Sequence, residues 1–349
     1  ARIEMDTQKH QLKLIEYIEG DFSTLSVIEN KKLKARTLYM NGFSTATVSD
    51  SIGGSDYMQA MGLIPMILHP NPRKVMVLCF GNGNTTRTVS LFPEVQVDGI
   101  EIDKNVLSLA HHFSKWNHNA QKKKNIHMYI QDGRTFTRWT QNKYDVITLE
   151  PMSPIQAGAV NLYSREFYQL AAERLNKDGL MMQWLPLHLV GPDDAKSILK
   201  TFQEVYPHTS IWNSFLTRIV LLVGSKEEIA LDKIRFKELM RIPEIQSSAQ
   251  QIGINTFLDF TDFFLTDANK VKSFMQNADL ITDDRPLLEF SPATLLPPLK
   301  IEVDETFLNY LKYRIGNYPQ VRGMMSSEKR RWEKDFRTRT AQRLSVFSR

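Results

Sequence analysis

The run Lys74–Gly83, KVMVLCFGNG, constrains this chain more than any other feature. It is a stretch of apolar residues that stops at a Gly-x-Gly turn, the pattern of a strand buried on both faces that delivers its backbone to a ligand. A second apolar run ending in acids, Gly99–Asp103 (GIEID), follows about 20 residues later, the spacing at which a βαβ unit places a carboxylate on a pair of ribose hydroxyls. Together they predict an adenosine-type cofactor at the carboxyl ends of a parallel sheet.

The glycine loop continues Gly81-Asn82-Gly83-Asn84-Thr85-Thr86. Thr86 stands where a full dinucleotide fingerprint has its third glycine, and no Walker lysine follows, which argues against nucleoside triphosphate chemistry. An ordinary tight turn is the alternative. Glu101 ends the second strand, and its carboxylate can accept both ribose hydroxyls. Asp103 reads equally as a helix N-cap. Asp132-Gly133 ends a third strand, where a short acid can accept from an adenine amino group, or simply make a turn. Glu150 ends a fourth strand and is followed by Pro151-Met152-Ser153-Pro154. A carboxylate at such a rim can act as general base or hold an amine, or it can satisfy loop amides. Residues 156–163 then read as a lid.

The remaining pattern alternates strand and helix. Expected strands are Lys74–Phe80, Val95–Ile102, Ile126–Gln131, Tyr144–Leu149 and Leu180–Leu185, with helices at Thr85–Leu91, Asn105–Phe113, Ser164–Leu175 and Asp193–Val205. A closing antiparallel pair, Thr209–Phe215 and Arg218–Val223, ends the series as in the methyltransferase-type Rossmann variant. Before it come short strands at Ser23–Ile28, Arg36–Met40 and Ala46–Asp50, then a helix at Tyr57–Leu68. The expected organisation is therefore α/β: a small antiparallel β-domain in residues 1–64, a Rossmann-like class I methyltransferase-type domain in residues 65–225, and a mainly helical extension with a basic tail in residues 226–349.

The 349 residues carry a formal net charge of +5. The segment from Lys329 to Arg349 holds eight basic and two acidic residues, so the basic character belongs to this tail. It reads as a solvated helical terminus, or as a contact to anionic lipid. No aromatic platform accompanies it, which disfavours nucleic acid. The one cysteine, Cys79, excludes an internal disulfide and a cysteine-based metal centre, and reads as a small buried hydrophobe. No histidine pair has metal-binding spacing, so no metal is expected. No run approaches the roughly 18 apolar residues of a membrane span, and no signal peptide is visible, so a cytoplasmic location is expected.

The segments LYMNG, HPNPRKVMVLCFGNGNTTR, VDGIEID, QDGRTF, YDVITLEPMSPIQAGAVNLYSREFYQLAAERL and DGLMMQWLPLH are those of a known family. Over roughly residues 24–225 the chain resembles the spermidine synthases (polyamine aminopropyltransferases), in particular bacterial spermidine synthase-like domains fused to a membrane-spanning half; TDDRPLLEF at Thr282–Phe290 recurs in that subgroup. The resemblance implies decarboxylated S-adenosylmethionine as co-substrate, no metal, a small-molecule amine as acceptor, and a homodimer. It also leaves room for membrane tethering at the cytoplasmic face, through a preceding segment or the basic tail. It implies cofactor contacts from Gly81, Gly83, Asn84, Glu101, Ile102, Asp132 and Gly133. Glu150 and Tyr57 fall on the catalytic positions, and Gln59, Ser153 and Tyr163 face the acceptor.

The sequence departs from the family at the amine half. Asn84 stands where the family has aspartate, Glu150 replaces the catalytic aspartate, Ser153 replaces a second aspartate, and Thr45 aligns with a cofactor-holding glutamine. Losing two fixed anions costs a polyamine roughly 1.5–3 kcal/mol per contact. Asn84 also stops repelling the carboxylate of intact S-adenosylmethionine. Three readings follow: an aminopropyltransferase with an atypical acceptor, an S-adenosylmethionine-dependent methyltransferase, and a non-catalytic nucleoside-binding scaffold. Asp283 and Asp284 are candidates to fold back and supply the missing anions.

Overall fold

The structure, a computed structural model, describes residues 11–347 other than 51–55, 155, 157 and 215–217. The chain opens with a four-stranded antiparallel sheet, β1 (Leu12–Glu19), β2 (Thr24–Asn30), β3 (Ala35–Met40) and β4 (Phe43–Ser49), in that order. Strand β1 lies in a stretch that showed no clear alternation, because its burial is irregular where the register shifts between Leu14 and Glu16. Helix α1 (Asp56–Leu68) then enters the main domain.

The main domain is an eight-stranded sheet. Its parallel part comprises β5 (Lys74–Leu78), β6 (Gln96–Glu101), β7 (Ile126–Ile130), β8 (Tyr144–Leu149) and β9 (Leu175–Pro186). The connecting helices include α2 (Asn84–Val89), α3 (Lys104–Leu109), α4 (Gly133–Trp139), α5 (Arg165–Arg174) and α6 (Pro192–Val205). Strands β10 (Ser210–Asn213) and β11 (Ile219–Gly224) add antiparallel to β9. From β5 the chain builds β6 and β7 on one side, then returns to place β8 and β9 on the other. The strand order therefore reverses between β5 and β8, and ligands bind in the crevice at such a reversal.

Alternation along the strands sorts side chains onto two faces. Val75, Val77, Val97, Val146, Met182 and Leu221 pack with α1 in one core. Met76, Leu78, Ile100, Ile147, Met181 and Leu222 pack with α5 and α6 in the other, where Tyr168, Phe202 and Tyr206 form an aromatic cluster. Gly62 lets α1 lie against α2: a Cβ there would stand 2.7 Å from Thr88 Cβ.

The sheet does not end at the β10–β11 pair. The C-terminal part runs through α7 (Lys233–Leu239), α8 (Pro243–Gln251) and α9 (Phe257–Asp262), then contributes β12 (Phe264–Asp267), which pairs antiparallel with β10 and becomes the edge strand. Helix α10 (Lys300–Tyr313) buries Val303, Phe307, Tyr310 and Leu311 against the core shared with α5 and α6. The basic tail forms α11 (Ser326–Phe347), and it is docked on the body. Trp332 and Phe336 are buried, Arg339 meets Asp259 at 2.7 Å, and Arg343 meets Asp262 at 2.9 Å. Asp262 also holds the fully buried Arg314, whose Nη1 donates to the Asp262 carbonyl at 2.7 Å. Among the described residues no helix is long and apolar enough to cross a membrane.

Candidate active site

Strand β5 ends at Leu78, and the next residue leaves the sheet sharply. Cys79 has φ +68°, in the left-handed region that costs a non-glycine residue about 1–3 kcal/mol. Gly83 has φ +84°, and a Cβ there would lie 2.6 Å from the Phe80 ring, so glycine is required on both counts. The loop is braced by its own polar groups: Asn84 N donates to Asn82 Oδ1 at 3.1 Å, and Asn117 Nδ2 donates to the Asn82 carbonyl at 2.8 Å.

The Glu101 carboxylate stands across from this loop at the end of β6. It accepts from Asp103 N at 3.1 Å and Gly81 N at 3.4 Å. Burial raises its pKa to about 6, against the pull of those backbone donors. Asp103 is the N-cap of α3, accepting from Asn105 N, and its other oxygen accepts from Ser23 Oγ at 2.7 Å, tying the N-terminal sheet to the main domain. Ile102 is exposed at the rim. Asp132 caps α4, with Oδ1 accepting from Thr135 N at 2.7 Å, which leaves its second oxygen outside the cap; Gly133 follows as the first helical residue.

Glu150 immediately follows β8 on the far side of the crevice. Tyr57, near the start of α1, donates its hydroxyl to Glu150 Oε1 at 2.5 Å. Burial pushes the Glu150 carboxyl up to about 8, although the Tyr57 hydrogen bond opposes the shift. Burial, reinforced by the neighbouring carboxylate, also raises Tyr57 well above its ordinary value. Tyr163 is fully buried, and burial, followed by the neighbouring Tyr168, Cys79 and Glu150, raises its hydroxyl well above its ordinary value.

The polar atoms left over are informative. The Asn84 side chain is 1% exposed, and neither its Oδ1 nor its Nδ2 has a hydrogen-bond partner in the protein. Asn82 Nδ2, Ser153 Oγ, Tyr163 Oη and Gln183 Oε1 are buried and unpartnered too. Buried polar atoms normally find partners; Tyr163 and Gln183 lie close enough to interact with each other, and Asn82 and Asn84, in the glycine loop, are the atoms of this set best placed to meet a polar ligand. Gln59 is divided: its Nε2 donates to Gln251 Oε1 of α8 at 3.0 Å, while its own Oε1 is buried without a partner. Asp283 does fold back, but onto Arg134, with Nη1–Oδ1 at 2.8 Å. That guanidinium holds the Asp283 carboxyl below its usual range, so its charge is present but already balanced by Arg134. The same segment also reaches the stretch expected as a lid, where Glu289 accepts from Gly158 N at 2.9 Å.

Two residues of the site were missed in the sequence. Cys79 is not simply core: it lies partly exposed beside Glu101, Glu150 and Asp132, and burial followed by those acids pushes its thiol well up. Its place immediately beyond the strand was the available signal. Gln183 is fully buried within β9, and a lone amide inside the apolar run LMMQWL was the sign of it.

Residues 55–224 match the family model described as spermine/spermidine synthase domain. The polyamine aminopropyltransferase of Methanocaldococcus jannaschii is 26% identical over 261 residues, spanning 72% of this chain and 87% of that protein. That of Caldicellulosiruptor saccharolyticus is 26% identical over 205 residues, 58% and 72% of the respective chains. Among solved structures, a spermidine synthase in complex with the transition state analogue AdoDATO superposes with a TM-score of 0.58 at 22% identity, covering 69% of this chain and 89% of that one. The spermidine synthase of Thermotoga maritima gives 0.56 at 20% identity, covering 69% and 88%. These structural likenesses speak to the fold.

Proposed function

We propose that this chain, whose residues 55–224 form a spermine/spermidine synthase domain, transfers an aminopropyl group from decarboxylated S-adenosylmethionine to the nitrogen of an amine. The observation that carries the reading is the Tyr57–Glu150 pair at the strand-order reversal, facing Glu101 across the glycine loop. The bound sulfonium supplies an activated carbon: the amine nitrogen forms the new C–N bond, the C–S bond breaks, and methylthioadenosine leaves.

The chain's own residues do the rest. Glu101 accepts the ribose hydroxyls, and the free oxygen of Asp132 accepts from the adenine amino group. Gly81 and Gly83 let the backbone approach, and Gly133 and Ile102 border the base. Glu150, as carboxylate, takes the proton that the attacking nitrogen must shed, and Tyr57 holds that carboxylate in place. A pKa of about 8 suits this task near neutral pH. Tyr163, Ser153 and Gln183 line the acceptor side with neutral groups. With Asn84 and Ser153 uncharged and Asp283 paired to Arg134, fixed anions for a second ammonium are scarce. The acceptor is therefore an amine with a single reacting nitrogen and a weakly cationic remainder.

Incubation with decarboxylated S-adenosylmethionine and a panel of mono-, di- and polyamines, following methylthioadenosine, tests the reading. Release with at least one monoamine, exceeding that with polyamines, is expected; no release across the panel overturns it.

One observation favours a second reading. The unpartnered Asn84 Nδ2 can donate to the carboxylate of intact S-adenosylmethionine, which would make the chain a methyltransferase. Calorimetric titration with both donors separates the two: tighter binding of the decarboxylated form supports aminopropyl transfer, and tighter binding of the intact form supports methyl transfer.

A further inference from the structure

We propose that Glu16, His111 and His112 form a binding site for one divalent transition-metal ion of the zinc type, clamping the N-terminal sheet to the main domain. The three donors come from two places far apart in the sequence, so spacing gave no hint of them. Glu16 lies on β1; His111 and His112 lie on the single-turn helix Ala110–Phe113 that follows α3. One ligand atom from each residue lies within 4.8 Å of the other two. The sequence expectation of no metal rested on local motifs, and tertiary proximity is what changes it.

The arrangement has the features of a ligand set. His112 Nε2 lies 2.5 Å from Glu16 Oε2 in a hydrogen bond, so an ion binding here takes the place of the proton these two donors share. His111 Nδ1 lies 2.7 Å from the Ser108 carbonyl. A proton on Nδ1 in that bond leaves the Nε2 lone pair free, the outer hydrogen bond that fixes tautomer and ring orientation in metal-ligating histidines. The two rings stand 3.9 Å apart between centroids. Two imidazoles and one carboxylate, with a fourth position for water, form an open tetrahedral zinc set; mixed nitrogen and oxygen donors suit borderline ions over calcium or magnesium.

The surroundings hold the donors still while leaving a way in. Ala110 and Phe113 are buried on either side of the histidines, and Arg36 Nη1 of β3 donates to the His112 carbonyl at 2.6 Å. The nearby cations Arg36 and Lys115 are paired with Glu29 and Asp50, at 2.9 and 2.6 Å. The side chains of His112 and Glu16 are 16% and 40% exposed, and His111 is exposed. An ion here bridges β1 to the helical segment whose start, Asp103, is bonded to Ser23 and to Glu101. It would stiffen the seam behind the ribose-binding carboxylate.

The test is calorimetric titration of the full chain with zinc chloride, with thermal melting in parallel. Wild-type protein is expected to bind one equivalent saturably and to melt higher with zinc. His111→Ala, at an exposed position, and Glu16→Gln are each expected to weaken binding about tenfold or more and to abolish the melting shift. His127→Ala, on β7 outside the cluster, should leave both unchanged. Absence of saturable binding, or binding equally strong in the His111→Ala and Glu16→Gln variants, overturns the proposal.

Discussion

At the scale of the residue, Glu150 sets the terms. Its carboxyl titrates near 8 in the folded chain against an ordinary 4.5. Between those values the folded state holds a proton that the unfolded state has lost, so stability falls as pH rises through this window. Glu150→Gln removes that dependence and still accepts from Tyr57. Its stability should match wild type near pH 4.5 and exceed it above pH 8 by roughly 2–4 kcal/mol, seen as a higher melting temperature; equal melting curves at pH 9 would contradict the burial argument. The same titration should appear in kcat/KM for methylthioadenosine formation, rising with pH to a break near 8. The acceptor's own ionisation gives a separate limb at higher pH, and a profile flat between pH 6 and 9 would remove Glu150 from the base role.

The elements that deliver these residues are held by tight local geometry. Gly83→Ala places a methyl group into the Phe80 ring at a positive φ. It should destabilise the chain by about 1–3 kcal/mol and abolish donor binding in calorimetry, whereas unchanged affinity would show that the loop does not touch the donor. The strands and helices around this loop were legible because β5 is an apolar run ending at the glycine turn, and β6 and β8 are largely apolar stretches that lead to the acids Glu101 and Glu150. Tyr57 could be placed only by family resemblance, since its bond to Glu150 spans 93 residues. Strand β1 was illegible because its exposed and half-buried positions do not alternate. Strand β12 was illegible because FFLTD reads equally as the tail of a helix, and only pairing with β10 decides it.

For the whole molecule, the C-terminal third belongs to the core. It closes the sheet edge with β12 and places Phe260 and Phe264 against Trp212, with ring centroids 5.6 and 5.7 Å apart. A chain ending at residue 225 would expose the β10 edge and a large apolar face. It should be recovered as aggregate or bind hydrophobic dye without a cooperative melt, and a monomeric, cooperatively melting truncation would show that the extension is an appendage. Whether a shielded carboxylate drives aminopropyl transfer at this crevice is decided by one comparison. Wild type and Glu150→Gln are incubated at pH 8 with decarboxylated S-adenosylmethionine and the best acceptor amine, and methylthioadenosine is quantified. Product is expected from wild type, with a loss of about 10²–10⁴-fold in the variant and donor binding retained. Equal rates in the two proteins would contradict that role for the carboxylate.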